Sequence, residues 1–396
     1  MTIADRWLLP DGMDEVLPPQ ALRMESLRRG LMDLYYRWGY DLVMPPPVEF
    51  LDSLLTGAGT DLDLQTFKLT DQLTGRLMGA SADVTPQVAR MDAHSLRRQG
   101  PVRLCYCAHV LRARADEHQG GRSPVQAGLE LFGHAGIEAD IEIVKLALAS
   151  LSLAGADDVH LAIGHIGIYR ALAEEARLED DVEALIFEAL ERKAVSEVDA
   201  LIEQHIDDAS LAAMFKQLPR LHGSADVLER AREVFANGSR AIGDALDQLI
   251  SLHEILSAAH DEVTLYFDLA ELRGYQYHTG LVFAAYVPGY GQALVKGGRY
   301  DDTGHAFGRP RPATGCSMDL KQLATLCQRS PSHDGIWAPV ARDATLSRRI
   351  HELRDAGERV VQQLPEQSTD AQAHFCDRQL VLRDGAWQVE PLDNRI

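Results

Sequence analysis

A set of polar residues stands where the hydrophobic pattern of a strand or its edge asks for apolar ones. They are Asp83 and Thr85 in "ASADVT", Arg112 in "VLRAR", Gln126 and Glu130 in "VQAGLELFG", and Arg273, Tyr277 and His278 in "ELRGYQYHTGLVFAAY". The even spacing of Gln126, Gly128 and Glu130 puts the three on one face of a strand, with Leu129 and Leu131 on the other. A single glutamate in that position would be expected to face water on a one-sided antiparallel sheet. Its recurrence beside other misplaced polar groups points instead to a pocket. A carboxylate such as Asp83 suits an ammonium, an arginine suits a carboxylate, and Glu130 with ring donors suits a polar side chain. Together they describe a site for an α-amino acid, and Gly128 and Gly280 would let the ligand lie close to the backbone.

Other chemistries find less support. The chain has no HExxH, Walker loop, GxSxG or CxxC, which removes the sequence basis for metalloprotease, P-loop and hydrolase readings. Cys105 and Cys107 share a strand face but read as small buried hydrophobes rather than a metal pair. The glycines of "KGGRYDD" read as turn chemistry beside a strand end, not as an anion cradle.

The elements that must hold these residues follow from periodicity. Leu22, Leu27, Leu31, Leu34 and Tyr35 recur at helical spacing between Pro19 and Gly39, predicting an amphipathic first helix that glycine stops. "DLVMPPPVEF" is extended and suits a sheet edge. Between Phe67 and Cys107, short apolar runs alternate with turns and one helical piece, "TPQVARMDAHSLRRQG". A mostly antiparallel sheet with helices packed on it, an α+β fold, accounts for them. From about residue 170 to about 260 the texture becomes all-helical, an insertion rich in Ala, Leu, Glu and Asp. Strands resume at "VTLYFDLAELRGYQYHTGLVFAAYV", turn at "PGYG" and continue through "QALVKGGRYDD" as a meander. Residues 1–330 thus form the expected core. Residues 331–396 form a small α/β segment, with a helix in "SRRIHELRDAGERVVQQL" and strands in "RQLVLRD" and "AWQVEP", short enough to lean on that core.

Composition narrows the class. At 396 residues, 46% hydrophobic and 25% charged, the chain is a globular protein of ordinary make-up with a sizeable core. Its formal net charge of −20 repels polyanions and argues against a general nucleic-acid binder. Five cysteines without paired spacing suggest a reducing compartment. The N-terminus lacks the succession of a signal peptide and no apolar run reaches membrane-spanning length, so a cytoplasmic location is expected.

Read in order, the segments resemble the catalytic domain of histidyl-tRNA synthetase, a class II synthetase, over roughly residues 5 to 325. "RGYQYHTGLVF" is similar to the histidine-contacting signature of that family, and "VLRARADEHQGGRSPVQAGLELFG" resembles motif two, with Arg112 at its arginine and Gln126 and Glu130 at substrate-contacting positions. "ASADVT" falls where the family contacts the α-amino group, here with Asp83 and Thr85, and "PATGCSMDLKQL" falls on motif three. The resemblance implies that Arg273 meets the carboxylate of bound histidine while Tyr277 and His278 line its ring. His278 stands where the family has a tyrosine.

The nucleotide half departs from the pattern. Arg114 replaces a glutamate, Pro124 the aromatic that stacks adenine, Gln322 the arginine that grips the ATP phosphates, and Asp319 a glycine beside it. An acid near a triphosphate repels it, and the lost arginine removes a charge-assisted clamp. This combination is similar to the synthetase paralogues that serve as regulatory subunits of ATP phosphoribosyltransferase. That resemblance implies a chain without catalysis, cofactor or metal. It also implies a homodimer within a hetero-oligomer with the short-form catalytic subunit, feedback by L-histidine in the first step of histidine biosynthesis, and no tRNA or membrane partner. The alternatives are a divergent histidyl-tRNA synthetase and a stand-alone histidine-binding module.

Overall fold

A computed structural model describes residues 7–57, 60–114, 121–327, 334–367, 371 and 374–392, with the backbone alone at 60 and 61. The chain divides into two compact units, Met1–Cys327 and Gln328–Ile396. The boundary expected near Ser330 lies outside the described residues.

The first unit is organised by one nine-stranded sheet. Its order is Asp41–Leu42, Val102–His109, Val125–Phe132, Ala313–Asp319, Val295–Arg299, Leu281–Tyr286, His160–His165, Thr264–Asp268 and His222–Gly223. Pairing is antiparallel from strand 102–109 through to strand 160–165 and parallel where Asp41–Leu42 and Thr264–Asp268 join. The mostly antiparallel α+β core expected from the sequence is therefore present. A smaller sheet of Val48–Phe50, Leu77–Ala80 and Lys68–Thr70 stands beside it.

Alternation along the central strands divides the sheet into two faces. Cys105, Ala127, Leu129, Leu131, Cys316 and Met318 join one core cluster with the helices Gln20–Arg37 and Ile137–Ala154. Val102, Leu104, Tyr106, Phe132 and Ala313 point the other way, against Val84 and Val88 of the short helical piece. Leu27, Leu31 and Tyr35 of the first helix are buried as its spacing predicts, whereas Leu22, 58% exposed, is not part of the core stripe. Gly39, at φ +83°, ends that helix.

Between Ile166 and Ala259 the chain is helical, in the segments Ile166–Ala176, Asp180–Glu191, Val195–His205, Ala209–Gln217, Asp226–Val234 and Arg240–Ala259. The expectation of an all-helical insertion needs one correction. His222–Gly223 is extended and adds an edge to strand 264–268. Another correction concerns the glycines of "KGGRYDD", read above as turn chemistry beside a strand end, because they lie inside the paired strand Val295–Arg299, in line with the strand read through "QALVKGGRYDD". A third concerns residues 272–279, which are a run of turns between strands rather than the opening of one.

The second unit holds the strands Val360–Gln362, Gly335–Ala338, Cys376–Arg383 and Ala386–Pro391 in that order, with the helix Ala344–Asp355. Asp384 and Gly385, both at positive φ, turn the hairpin between the last strands. Ile336, Ala338, Leu346, Ile350, Leu353, Val360 and Leu380 form a buried cluster. The segment thus has an apolar core of its own, which the expectation of a leaning appendage did not include.

The end of strand 295–299 is tied to the start of helix 137–154 by a buried ion pair. The Arg299 guanidinium lies 2.7 Å from Asp140 and also donates to the carbonyls of His134 and Gly136. Arg299→Met would leave the Asp140 carboxylate buried without its counter-charge, and chemical denaturation should show a loss of about 3 to 5 kcal/mol. Arg299→Met with Asp140→Leu should recover most of that loss. Unchanged stability in the single variant would show that the pair does not hold strand to helix.

Candidate functional site

A cavity of about 260 Å³ opens on the sheet face opposite the long helices. Its floor follows from register. Glu130 lies opposite Leu104 on one side and Gly315 on the other, while Gly128 lies opposite Tyr106 and Ser317. A Cβ on Gly315 would stand 1.8 Å from Glu130 Oε2, and one on Gly128 would stand 2.3 Å from the Tyr106 hydroxyl. These two glycines therefore make room for protein side chains. Gly280 likewise faces the Arg299 side chain at 3.0 Å. The expectation that Gly128 and Gly280 clear space for a ligand is corrected accordingly.

Glu130 is 1% exposed, which excludes the solvent-facing alternative. The Tyr106 hydroxyl donates to its Oε1 at 3.3 Å, and the Tyr300 hydroxyl donates to Oε2. Thr85 Oγ1 lies 3.2 Å from the Tyr106 hydroxyl. Burial pushes the Glu130 carboxyl up from 4.5 to about 8, against the hydrogen bonds from Tyr300 and Thr85, and the nearby Asp83 charge adds to the rise. Burial thus favours the protonated acid over the carboxylate.

Above the floor, Asp83 and Gln126 form a second polar pair. Gln126 Nε2 donates to Asp83 Oδ1 at 3.0 Å, and Gln126 Oε1 accepts from the Val84 amide at 2.9 Å. Asp83 also accepts from the Thr85 amide at 2.9 Å, which closes the turn into helix Thr85–Arg90. On the opposite wall the Tyr277 ring stacks on Tyr300 with centroids 5.0 Å apart, and His278 meets Tyr277 edge-on. Burial pulls the His278 imidazole down from 6.5 to about 4, so it is neutral at physiological pH. The loop that carries these rings is pinned to the helical insertion. Arg170 donates to the carbonyls of Tyr275 and His278, and the Tyr275 hydroxyl donates to Glu183.

The cavity brings together Asp83, Thr85, Arg112, Gln126, Glu130, Tyr277 and His278. Arg273 is the exception among the expected site residues. Its side chain is 51% exposed, donates to the Tyr286 hydroxyl at 3.1 Å and lies 3.6 Å from Glu271, and it is not among the lining groups. The arginine that the cavity presents is Arg112.

Pro124, Asp319 and Gln322, the departures in the nucleotide half, line the same cavity. Asp319 also has a structural task. It caps the helix Leu320–Leu326 by accepting from the Lys321 amide at 3.0 Å, and it accepts from the Val125 amide at 3.2 Å. Arg114 is exposed, and residues 115–120 of the same stretch lie outside the described residues.

Sequence reasoning missed Tyr106, Tyr300 and Lys296. Tyr106 looks like an ordinary core aromatic in "VRLCYCAHV", and Tyr300 and Lys296 sit in the "KGGRYDD" stretch taken for a turn. Their available signal was parity, since Lys296, Gly298 and Tyr300 share one face just as Gln126, Gly128 and Glu130 do. Among the described residues no group of three or more His, Cys, Asp or Glu is arranged to hold a metal ion, and no helix is long and apolar enough to cross a membrane.

Known proteins share the chain's sequence and fold. Residues 12–323 match the family model described as histidyl-tRNA synthetase, and residues 333–390 match the model of the C-terminal domain of the ATP phosphoribosyltransferase subunit HisZ. The chain is 67% identical over 392 residues to an ATP phosphoribosyltransferase regulatory subunit of Chromohalobacter salexigens, covering 99% of this chain and 100% of that one. To the protein of the same name from Azotobacter vinelandii it is 53% identical over 395 residues, with the same coverage. Among solved structures it is similar to an ATP phosphoribosyltransferase regulatory subunit/histidyl-tRNA synthetase from Bacillus halodurans. The TM-score is 0.81 at 28% identity, over 93% of this chain and 95% of that one.

The buried acid makes stability depend on pH. The folded protein keeps a proton on Glu130 up to about 8, whereas an unfolded glutamate releases it near 4.5, so stability falls as pH rises through that window. Glu130→Gln removes the titration. Relative to that variant, the native chain should lose on the order of a few kcal/mol between pH 5 and pH 8.5 in urea melts. Parallel pH profiles for the two proteins would show that Glu130 does not hold its proton.

Proposed function

The chain belongs to the family of ATP phosphoribosyltransferase regulatory subunits, and on that premise we propose that it is a histidine sensor without catalysis of its own. It binds L-histidine in the cavity, pairs as a homodimer with short-form catalytic subunits in the cytoplasm, and both activates and feedback-inhibits them. One observation carries this reading. The groups suited to an amino acid and the substitutions that spoil a nucleotide site line a single cavity. Asp83 and Gln126 accept the ammonium, Arg112 meets the carboxylate, and Glu130 with the rings of Tyr277 and His278 receives the imidazole. Pro124 offers no aromatic face to adenine, Gln322 has no charge for phosphates, and the Asp319 carboxylate adds repulsion.

The rival reading, a divergent synthetase, requires the same cavity to hold ATP and histidine together. A stand-alone histidine-binding module would bind the amino acid and have no effect on a phosphoribosyltransferase.

Calorimetry should detect L-histidine binding, while histidine-dependent exchange of pyrophosphate into ATP should be absent. Exchange at rates typical of a synthetase would overturn the reading. Gln322→Arg alone should not restore it, because Pro124 and Asp319 remain.

The two arginines should separate in the same assay. Arg112→Ala should weaken histidine binding by about 2 to 4 kcal/mol, as for a charge pair inside a desolvated site. Arg273→Ala, on a half-exposed side chain, should change it by less than about 1 kcal/mol. The reverse order would move the carboxylate contact to Arg273 and require the loop at residues 272–279 to close over the ligand.

A further inference from the structure

Glu130 is fully buried, unlike Asp83 and Asp319, the other acids lining the cavity. Its carboxyl is sealed on the cavity floor, and the groups that hydrogen-bond it are hydroxyls, from Tyr106 on one strand and Tyr300 at the end of another. Gly315 presses against it from the third side. The titratable and charged groups around it can be named by element. Asp83 stands before helix 85–90, the Cys316 thiol is on strand 313–319, Lys296 is on strand 295–299, Arg112 follows strand 102–109, and Tyr277 and His278 come from the loop at residues 272–279. Asp83 lies near enough for its charge to oppose a second anion on the floor. Neutral His278 adds no compensating charge.

Resting on the histidine-binding reading above, we propose that Glu130 recognises the ligand ring by giving it a proton. The empty site holds a neutral acid between two phenols. Histidine enters as the neutral imidazole, the O–H bond of the carboxyl breaks, and an N–H bond forms on the unprotonated ring nitrogen. The product is an imidazolium beside a carboxylate that keeps the hydrogen bonds from Tyr106 and Tyr300. No proton is exchanged with water at neutral pH, because it only moves within the complex. The device selects for a side chain that is a base strong enough to take the proton and small enough for the floor. A ring of the same shape without a basic nitrogen would leave the acid neutral and form no ion pair.

The inference predicts a specific proton count. Above pH 8 the empty site has lost its proton, so binding of the neutral ring must take one up from solution; below pH 6 the free ligand is already charged and one must be released. Calorimetry of L-histidine at pH 8.5, repeated in buffers of different ionisation enthalpy, should therefore show more proton uptake for the native chain than for Glu130→Gln, by a large fraction of one proton. Equal uptake in the two proteins overturns the inference while leaving histidine binding, and so the proposed function, intact. If Glu130→Gln binds too weakly to compare, nitrogen NMR of ring-labelled histidine bound to the native chain at neutral pH decides the matter. Two similar ring shifts indicate the imidazolium, and two widely separated shifts indicate the neutral ring and overturn the inference. Absence of histidine binding at any pH would bring down the proposed function, and this inference with it.

Discussion

A carboxyl group taken out of water must find donors or keep its proton, and the centre of this protein is arranged around one that does both. Glu130 receives hydrogen bonds from Tyr106 and Tyr300, residues 24 and 170 positions away in the chain. Those contacts exist only in one sheet register. Slipping strand 313–319 against strand 125–132 by one residue would set a side chain where Gly315 now admits the carboxyl, and the mismatch would spread to every inward group. Gly315 makes room for the buried acid and Gly128 for the Tyr106 ring that donates to it. They let bulky polar side chains lie flat across neighbouring strands.

The two faces of the sheet then divide the work. One is closed by long helices over leucines and alanines and belongs to the larger of the buried apolar clusters. The other has a smaller apolar cluster and spends its remaining positions on Gln126, Glu130, Lys296 and Tyr300. Gln126 and Glu130 are tolerated there because both are hydrogen-bonded. Asp83, Gln126 and the Val84 amide form one closed set, and Glu130 with its phenols and Thr85 forms another. On the facing wall the buried Tyr277 hydroxyl and His278 Nδ1 have no hydrogen-bond partner among the described residues, which leaves them available to a polar ligand.

Much of this was legible in the sequence because strand parity is legible. The face shared by Gln126, Gly128 and Glu130, the helical insertion and the antiparallel core all follow from periods of 2.0 or 3.6. What parity cannot give is which strand lies beside which. Gly128 therefore looked like room for a ligand, whereas its neighbour across the ladder is Tyr106. Tyr300 was hidden by the glycines before it, which mimic a turn, and its partner Glu130 lies 170 residues earlier. Arg273, expected in the site, lies outside the cavity lining for the opposite reason. Its local pattern is strong, but the segment is a loop whose side-chain directions no period sets.

The central claim is that a cavity inherited from an amino-acid-activating fold now reports histidine to another protein. The most direct measurement mixes the purified chain with a short-form ATP phosphoribosyltransferase and follows turnover as L-histidine is added. The account predicts that the mixture turns over faster than the catalytic subunit alone and that histidine suppresses the gain. It also predicts that saturating the transferase with its substrates shifts the histidine needed to higher concentration, as linkage between two sites requires. A mixture in which histidine binds this chain while turnover is the same with and without it would contradict the claim.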